Sequence, residues 1–140
     1  SLSTFFAEDF VDGADYTCGV IGGKATQIAE IVTSGQLFDY DEKYSSNSAA
    51  HIIPATLKPN IYEQMREYSL AAHDCLGCRG VTRVDFRYSS SKEEKLVCLE
   101  VNTQPGMTKK SLLPELAEYS GISFHELVDW IICDASYNRY

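Results

Sequence analysis

Two short stretches hold the side chains best suited to chemistry. In VTRVDFRY, residues 81–88, strand alternation sets Arg83, Asp85 and Arg87 on one face and Val84, Phe86 and Tyr88 on the other. In CLEVNTQPGMT, residues 98–108, a strand-like start carries Glu100 and Asn102, two residues that strands usually avoid, and stops at Pro105-Gly106. The same alternation groups Cys98, Glu100 and Asn102 against Val97, Leu99 and Val101. If the two strands pair as a hairpin, Asp85, Glu100 and Asn102 converge with Arg83 beside them. That all-oxygen set suits Mg²⁺ rather than Zn²⁺. Mg²⁺ binds few protein oxygens, at about 2.0–2.1 Å, and leaves positions for phosphate oxygens. An arginine alongside would balance charge building on a transferring phosphoryl group. A solvated polar strand face is the competing reading, and alternation alone does not decide between them. Pro105-Gly106-Met107 adds a place where backbone comes close to a ligand and its N–H groups face an oxyanion.

The elements that must position these residues follow from pattern. TFFAEDFV (4–11) and ADYTCGVIG (14–22) read as strands parted by the turn pair Asp12-Gly13. Gly22-Gly23 closes a hairpin onto ATQIAEIVT (25–33). Residues 34–55 form a long polar connection, a length that in a compact domain often marks function. Pro59 suits a first helical turn, and Ile61, Met65, Tyr68, Ala72 and Leu76 mark one buried face up to Gly77. Strands at 81–88 and 95–101 are joined by SSSKEE. Two helices follow: LLPELAEYS up to Gly121, then SFHELVDWIICDA, opened by Ser123 and Glu126 spaced as a capping box. The apolar face of the second is Phe124, Leu127, Val128, Ile131 and Ile132. The order gives an α+β domain on a mainly antiparallel sheet with flanking helices.

Composition narrows the partners. With 140 residues, 44% of them hydrophobic, the chain is one domain with a real core. A formal net charge of −8 argues against nucleic acid as a partner, while small phosphorylated ligands remain compatible. Five cysteines, an odd count, fit a reduced cytosolic protein. No run approaches the roughly 20 apolar residues of a membrane span, no basic-then-apolar leader opens the chain, and a start so close to a strand suggests a piece of something longer. GVIGGKA (19–25) invites comparison with a phosphate-binding P-loop, but Cys18 stands where the first Gly is required and Ala25 where Ser or Thr is required. Cys75 and Cys78 have the spacing of a redox or half-zinc site, but no second pair exists. His51, His73 and His125 are scattered, and His73 and His125 read as surface or packing residues. Lys43-Tyr44, in the long connection, is either a phosphate-reaching lid or a solvated charge.

Together, GVTRVDF, LEVNTQPGMT and SLLPELAEYSGISFHELV closely resemble the C-terminal part of the bacterial D-alanine–D-alanine ligases, which are ATP-grasp enzymes. FDYDEKY and EDFVDGADYTCGVIG match in the same order, so the likeness runs from about Phe6 to Ser136. The resemblance implies an ATP-grasp C-terminal domain in a cytoplasmic enzyme of peptidoglycan precursor synthesis, commonly a homodimer. ATP phosphorylates the carboxylate of one D-alanine, and the amine of a second attacks the acyl phosphate. It further implies that Asp85, Glu100 and Asn102 bind Mg²⁺ or Mn²⁺, and that Arg83 and the Gly106 backbone stabilise the tetrahedral intermediate. Ser111 and Leu112 hold the carboxylate of the second D-alanine, with Ser111 opening a helix whose free N–H groups favour an anion. Glu8, Phe10 and Val11 line the adenine. Lys43 and Tyr44 close over phosphates and substrate. Asp15 stands where the family has a ribose-binding Glu, one methylene longer. The family's N-terminal domain and glycine-rich loop have no counterpart, which implies a chain inactive by itself. Alternatives are a D-alanine–D-lactate type of ATP-grasp ligase, a non-catalytic module that kept the fold, and a thiol or metal module using Cys75 and Cys78.

Overall fold

A computed structural model describes residues 7–32, 50–91 and 93–136. The elements are β1 (Ala14–Ile21), β2 (Lys24–Val32), β3 (Ala50–Ile52), α1 (Pro59–Cys75), β4 (Val81–Ser89), β5 (Lys95–Asn102), α2 (Leu112–Tyr119) and α3 (Phe124–Asp134). They build one five-stranded sheet in the order β3-β2-β1-β4-β5, every neighbouring pair antiparallel. The α+β expectation holds, and no helix among the described residues is long and apolar enough to cross a membrane.

Both hairpins form where turn chemistry puts them. Gly22 and Gly23 take φ of 56° and 72°, values that favour glycine, and β2 folds back on β1. β4 and β5 pair across the serine-rich turn. Residues 7–11, within the expected first strand, are not strand; residues 4–6 lie outside the described set. The ladder to β4 begins only at Ala14↔Tyr88. Just before that first pair, Gly13 at φ 144° passes so close to Tyr88 that a Cβ there would sit 2.3 Å from the Tyr88 carbonyl oxygen, so the position requires glycine. The long connection ends in β3, a three-residue strand too short for periodicity to show.

The helices divide between the two sheet faces. On one, Ile61 and Met65 of α1 pack on Tyr16, Cys18, Ile28, Val84, Phe86 and Tyr88. The buried stripe of α1 is Ile61, Met65, Ser69 and His73, so the expected face is displaced: Tyr68 and Leu76 are exposed. Ser69 and His73 are tolerated inside because each is bonded, Ser69 Oγ donating to the Met65 carbonyl at 2.8 Å and His73 Nδ1 meeting Thr82 Oγ1 at 2.9 Å. On the other face, Leu113, Ala117 and Leu127 close over Ile21. The capping box of α3 is present, with Glu126 N–H donating to Ser123 Oγ at 3.3 Å and Ser123 N–H to Glu126 Oε2 at 2.8 Å. Only Leu127 of its expected apolar face is fully buried, and Ile132 is exposed.

Gly19 sets the seat of α2. A Cβ at this position would lie 2.6 Å from Leu113 Cδ1 and 3.1 Å from Thr26 Cγ2, both on buried side chains. Gly19→Ala should therefore cost about 1–3 kcal/mol by overpacking, read as a lower urea midpoint. Leu113→Ala in the same chain should recover part of the clash; additive losses would show that α2 does not depend on this contact.

Tyr88 ties β4 to the next turn and to α1. Its hydroxyl donates to Glu94 Oε1 at 2.7 Å, and Lys58 Nζ bonds the same oxygen at 2.5 Å. The Glu94 hydrogen bond, with burial, pushes the Tyr88 phenol from 10.0 up to about 12. A folded pKa above the unfolded one gives stability that is full below pH 10 and lost as pH rises through about 12. Urea midpoints should fall over that window, and Tyr88→Phe should make the fall shallower. Burial holds the Tyr16 phenol at about 12 as well, which leaves the variant part of the slope.

Candidate active site

The site is built on the pairing of β1 with β4. Directly opposed residues point to the same face. Three cross-strand pairs therefore line up on the face that α2 partly covers: Asp15↔Arg87, Thr17↔Asp85 and Gly19↔Arg83. β5 adds Glu100 opposite Asp85 and Asn102 opposite Arg83. Each step along the strands is two residues, roughly 7 Å.

The middle station is a partly buried carboxylate. Arg83 grips Asp85 with both ends of its fork, Nε to Oδ1 at 2.9 Å and Nη2 to Oδ2 at 2.8 Å. Thr17, fully buried, donates its hydroxyl to Asp85 Oδ1 at 2.6 Å. Arg83 Nη2 also lies 3.8 Å from Glu100 Oε1. Burial pushes the Asp85 carboxyl up, but the hydrogen bonds and charge of Arg83, with Thr17 and Glu100, outweigh it and hold the carboxyl below its usual range. Glu100 is more than half exposed, so the pair opens toward solvent on one side.

Asp85, Glu100, Asn102 and Arg83 thus come together as expected, with one correction. A β-bulge shifts the β4–β5 register between Asp85 and Phe86, so Glu100 opposes Asp85 but Cys98 opposes Phe86. Cys98 therefore leaves the carboxylate face, Val97 joins it opposite Arg87, and Leu99 is exposed as the extra residue. The oxygen set fits a hard cation. Arg83 already lies against both carboxylates, 2.8 Å from Asp85 Oδ2 and 3.8 Å from Glu100 Oε1, so the fit to a cation rests on the donor types and not on unrelieved repulsion. Among the described residues no three His, Cys, Asp or Glu side chains gather as metal ligands. A cation here would draw on two carboxylates and one amide, a sparse set of the kind Mg²⁺ accepts. Cys75 and Cys78 are both free thiols at the end of α1.

The loop after β5 is fixed at both ends. Asn102 Oδ1 accepts from the Gln104 N–H at 3.0 Å, and Pro105 is buried. Gly106 runs so close to α2 that a Cβ on it would sit 3.0 Å from Ser111 Oγ. Ser111 is the N-cap of α2, but its hydroxyl accepts from the Thr108 N–H at 3.0 Å and caps no helical N–H with its side chain. The neighbouring Leu112 is half-buried. Because Leu113 lies over Gly19, which opposes Arg83, the first turn of α2 overhangs the Arg83 end of the row.

At the other end, Arg87 and Asp15 form a two-pronged pair, Nε to Oδ1 at 2.8 Å and Nη2 to Oδ2 at 2.7 Å. Phe10 and Val11 lie against Arg87, while Glu8 is exposed nearby in sequence. Lys43 and Tyr44 lie outside the described residues. Sequence reasoning missed Thr17 and gave Arg87 no role. Alternation put Arg87 on the right face, but its partner and that of Asp85 depend on a register between segments about 70 residues apart.

The family model described as D-ala D-ala ligase C-terminus matches residues 3–133. A D-alanine–D-alanine ligase from Rhodopseudomonas palustris is 52% identical over 134 residues, 94% of this chain and 44% of the relative. One from Beijerinckia indica is 53% identical, with the same coverage. Among solved structures, a D-alanine–D-alanine ligase from Bacillus anthracis complexed with ATP superposes with a TM-score of 0.75 at 30% identity, covering 91% of this chain and 39% of that one. The VanG D-Ala:D-Ser ligase from Enterococcus faecalis gives 0.74 at 32%, covering 89% and 37%. The chain spans less than half the length of the relatives it matches. By the extent of the match and the identity of these relatives, the chain belongs to the family of D-alanine–D-alanine ligase C-terminal domains.

Proposed function

We propose that this chain is the nucleotide-, metal- and acyl-binding portion of an ATP-dependent ligase that joins two D-alanines for peptidoglycan precursors in the cytoplasm. The observation that carries the reading is the row of three stations on one sheet face: Asp15/Arg87, then Asp85/Glu100 with Thr17, then Arg83/Asn102, from which the chain runs on into the loop that packs Gly106 against Ser111. A nucleotide lying along that row has its base by Glu8, Phe10 and Val11 and its ribose by Asp15. Its phosphates then reach the carboxylates, and the acceptor lies past Arg83. Lys43 and Tyr44 would act from the connection between β2 and β3.

Asp85, Glu100 and Asn102 would hold Mg²⁺ or Mn²⁺, which neutralises phosphate charge and polarises the terminal phosphoryl group. The remaining roles belong to the chain itself. Arg83 is fixed by Asp85, so its charge is pre-aimed rather than recruited during reaction. The Gly106 backbone, in the loop that follows Asn102, would add an N–H donor to Arg83 in stabilising the tetrahedral intermediate. The first-turn N–H groups of α2 favour the carboxylate of the second amino acid, held with Ser111 and Leu112. Phosphoryl transfer from ATP to the first D-alanine releases ADP. Attack by the second amine then forms the amide and releases phosphate. The full-length enzyme would be a homodimer.

ADP release with D-alanine and Mg²⁺ tests this reading. The protein as its cell makes it should turn over, and the isolated 140-residue chain should not. Asp85→Asn and Glu100→Gln should each lower kcat about a hundredfold or more. Intact activity in both variants would remove the metal assignment. Offering D-serine and D-lactate in place of the second D-alanine identifies the acceptor; turnover with D-lactate alone would replace the dipeptide reading with the ester-forming one.

A further inference from the structure

Arg87 reaches three different groups at once. Its fork takes both carboxylate oxygens of Asp15, Nη1 donates to the Val11 carbonyl at 3.4 Å, and Cζ lies 5.8 Å from the centre of the Phe10 ring. Its side chain and that of Asp15 are 14% and 16% exposed, so neither is a loose surface group. Residues 7–13 have no strand pairing of their own, and here one side chain of β4 joins two of them to the start of β1. A lysine could not replace it, because a point charge cannot serve a carboxylate in two-pronged fashion while reaching a carbonyl on another segment.

The acid it grips keeps capacity to spare. A carboxylate has about four lone-pair sites, of which a forked arginine uses two. Among the described residues Arg87 is the partner on Asp15, which leaves two acceptor sites on a side chain whose rotamer Arg87 has fixed. A vicinal diol offers two hydroxyl donors at a matching spacing. We infer that Arg87 is a positioning residue that holds Asp15 and the segment at Phe10–Val11 so that the site selects nucleotides whose sugar carries both the 2′- and 3′-hydroxyls. The inference rests on the nucleotide reading above and adds to it a determinant of sugar selectivity in a residue that need not touch the ligand.

Calorimetric binding of Mg·ADP and Mg·2′-deoxy-ADP to the protein as its cell makes it tests the inference without requiring turnover. The unaltered protein should prefer ADP by about tenfold, the size expected for one hydrogen bond to a charged acceptor. Arg87→Met should weaken ADP binding and bring the preference within about twofold, an effect that general destabilisation would not produce, because it weakens both ligands alike. Asp15→Asn should also lose the preference, and the double variant should be no worse than Asp15→Asn alone, because Arg87 acts through Asp15. Arg87→Lys, which keeps the charge, should stay folded and still lose most of the preference; it decides the matter if Arg87→Met does not fold. Retention of the full preference in Arg87→Lys, additive losses in the double variant, or equal binding of both nucleotides by the unaltered protein would each overturn the role of Arg87. Failure of the unaltered protein to bind either nucleotide would instead overturn the nucleotide reading on which it rests.

Discussion

The pairing of β1 with β4 is the constraint on which everything else depends. It runs without interruption from Ala14↔Tyr88 to Ile21↔Val81. A slip of one residue would carry Asp15, Thr17 and Gly19 to the face where α1 packs and bring Tyr16 and Cys18 out of the core. The core alternation on both strands therefore locks the register. Tyr16, Cys18, Val84, Phe86 and Tyr88 are all buried against α1, and exposing even one of the larger ones would cost roughly 1.5–3 kcal/mol. The apolar face thus fixes the position of the polar face, and the polar residues need contribute little to stability themselves.

That division matters because the polar face is electrostatically demanding. Asp15, Asp85 and Glu100 share it with Arg83 and Arg87 in a chain whose formal net charge is −8. Pairs such as Arg83–Asp85 and Arg87–Asp15 contribute little net stability, because desolvation offsets most of their attraction. Their effect is on orientation. Each arginine is held across or along β4 with two-pronged geometry, so each acid has a set direction before any ligand arrives. Thr17 serves the same end from β1, placing a hydroxyl under Asp85 where a valine would leave one carboxylate oxygen with a donor fewer.

The sequence made the alternating face of β4 legible because strand period and residue type agree there without a break. The same reasoning carried Glu100 and Asn102 to the right side of β5 but took Cys98 with them. A bulge is an irregularity in pairing, and pairing is not written in one strand alone. The buried stripe of α1 was misplaced for a different reason. Apolar side chains at 68, 72 and 76 outvoted Ser69 and His73, whose burial depends on partners supplied locally at Met65 and across the fold at Thr82. Of the first expected strand, residues 7–11 are not strand, because strand-like residue types do not supply a pairing partner and the β4 ladder takes up the chain only at Ala14.

The bulge also accounts for how β5 comes to end on a carboxylate and an amide. Without it, strict alternation would place Cys98, Glu100 and Asn102 together, and a thiol would face Arg87 where Val97 now stands. With one residue inserted at Leu99, the apolar side chains before the bulge and the polar ones after it share the β4 face in sequence. Val97 stands beside the Asp15/Arg87 end, and Glu100 and Asn102 stand beside Asp85 and Arg83. The strand thus changes character along its length while the core residues Leu96 and Val101 stay packed on the far side. A sheet edge can in this way confine its oxygen donors to one end of a face, which is what a site for a charged group next to an uncharged one requires.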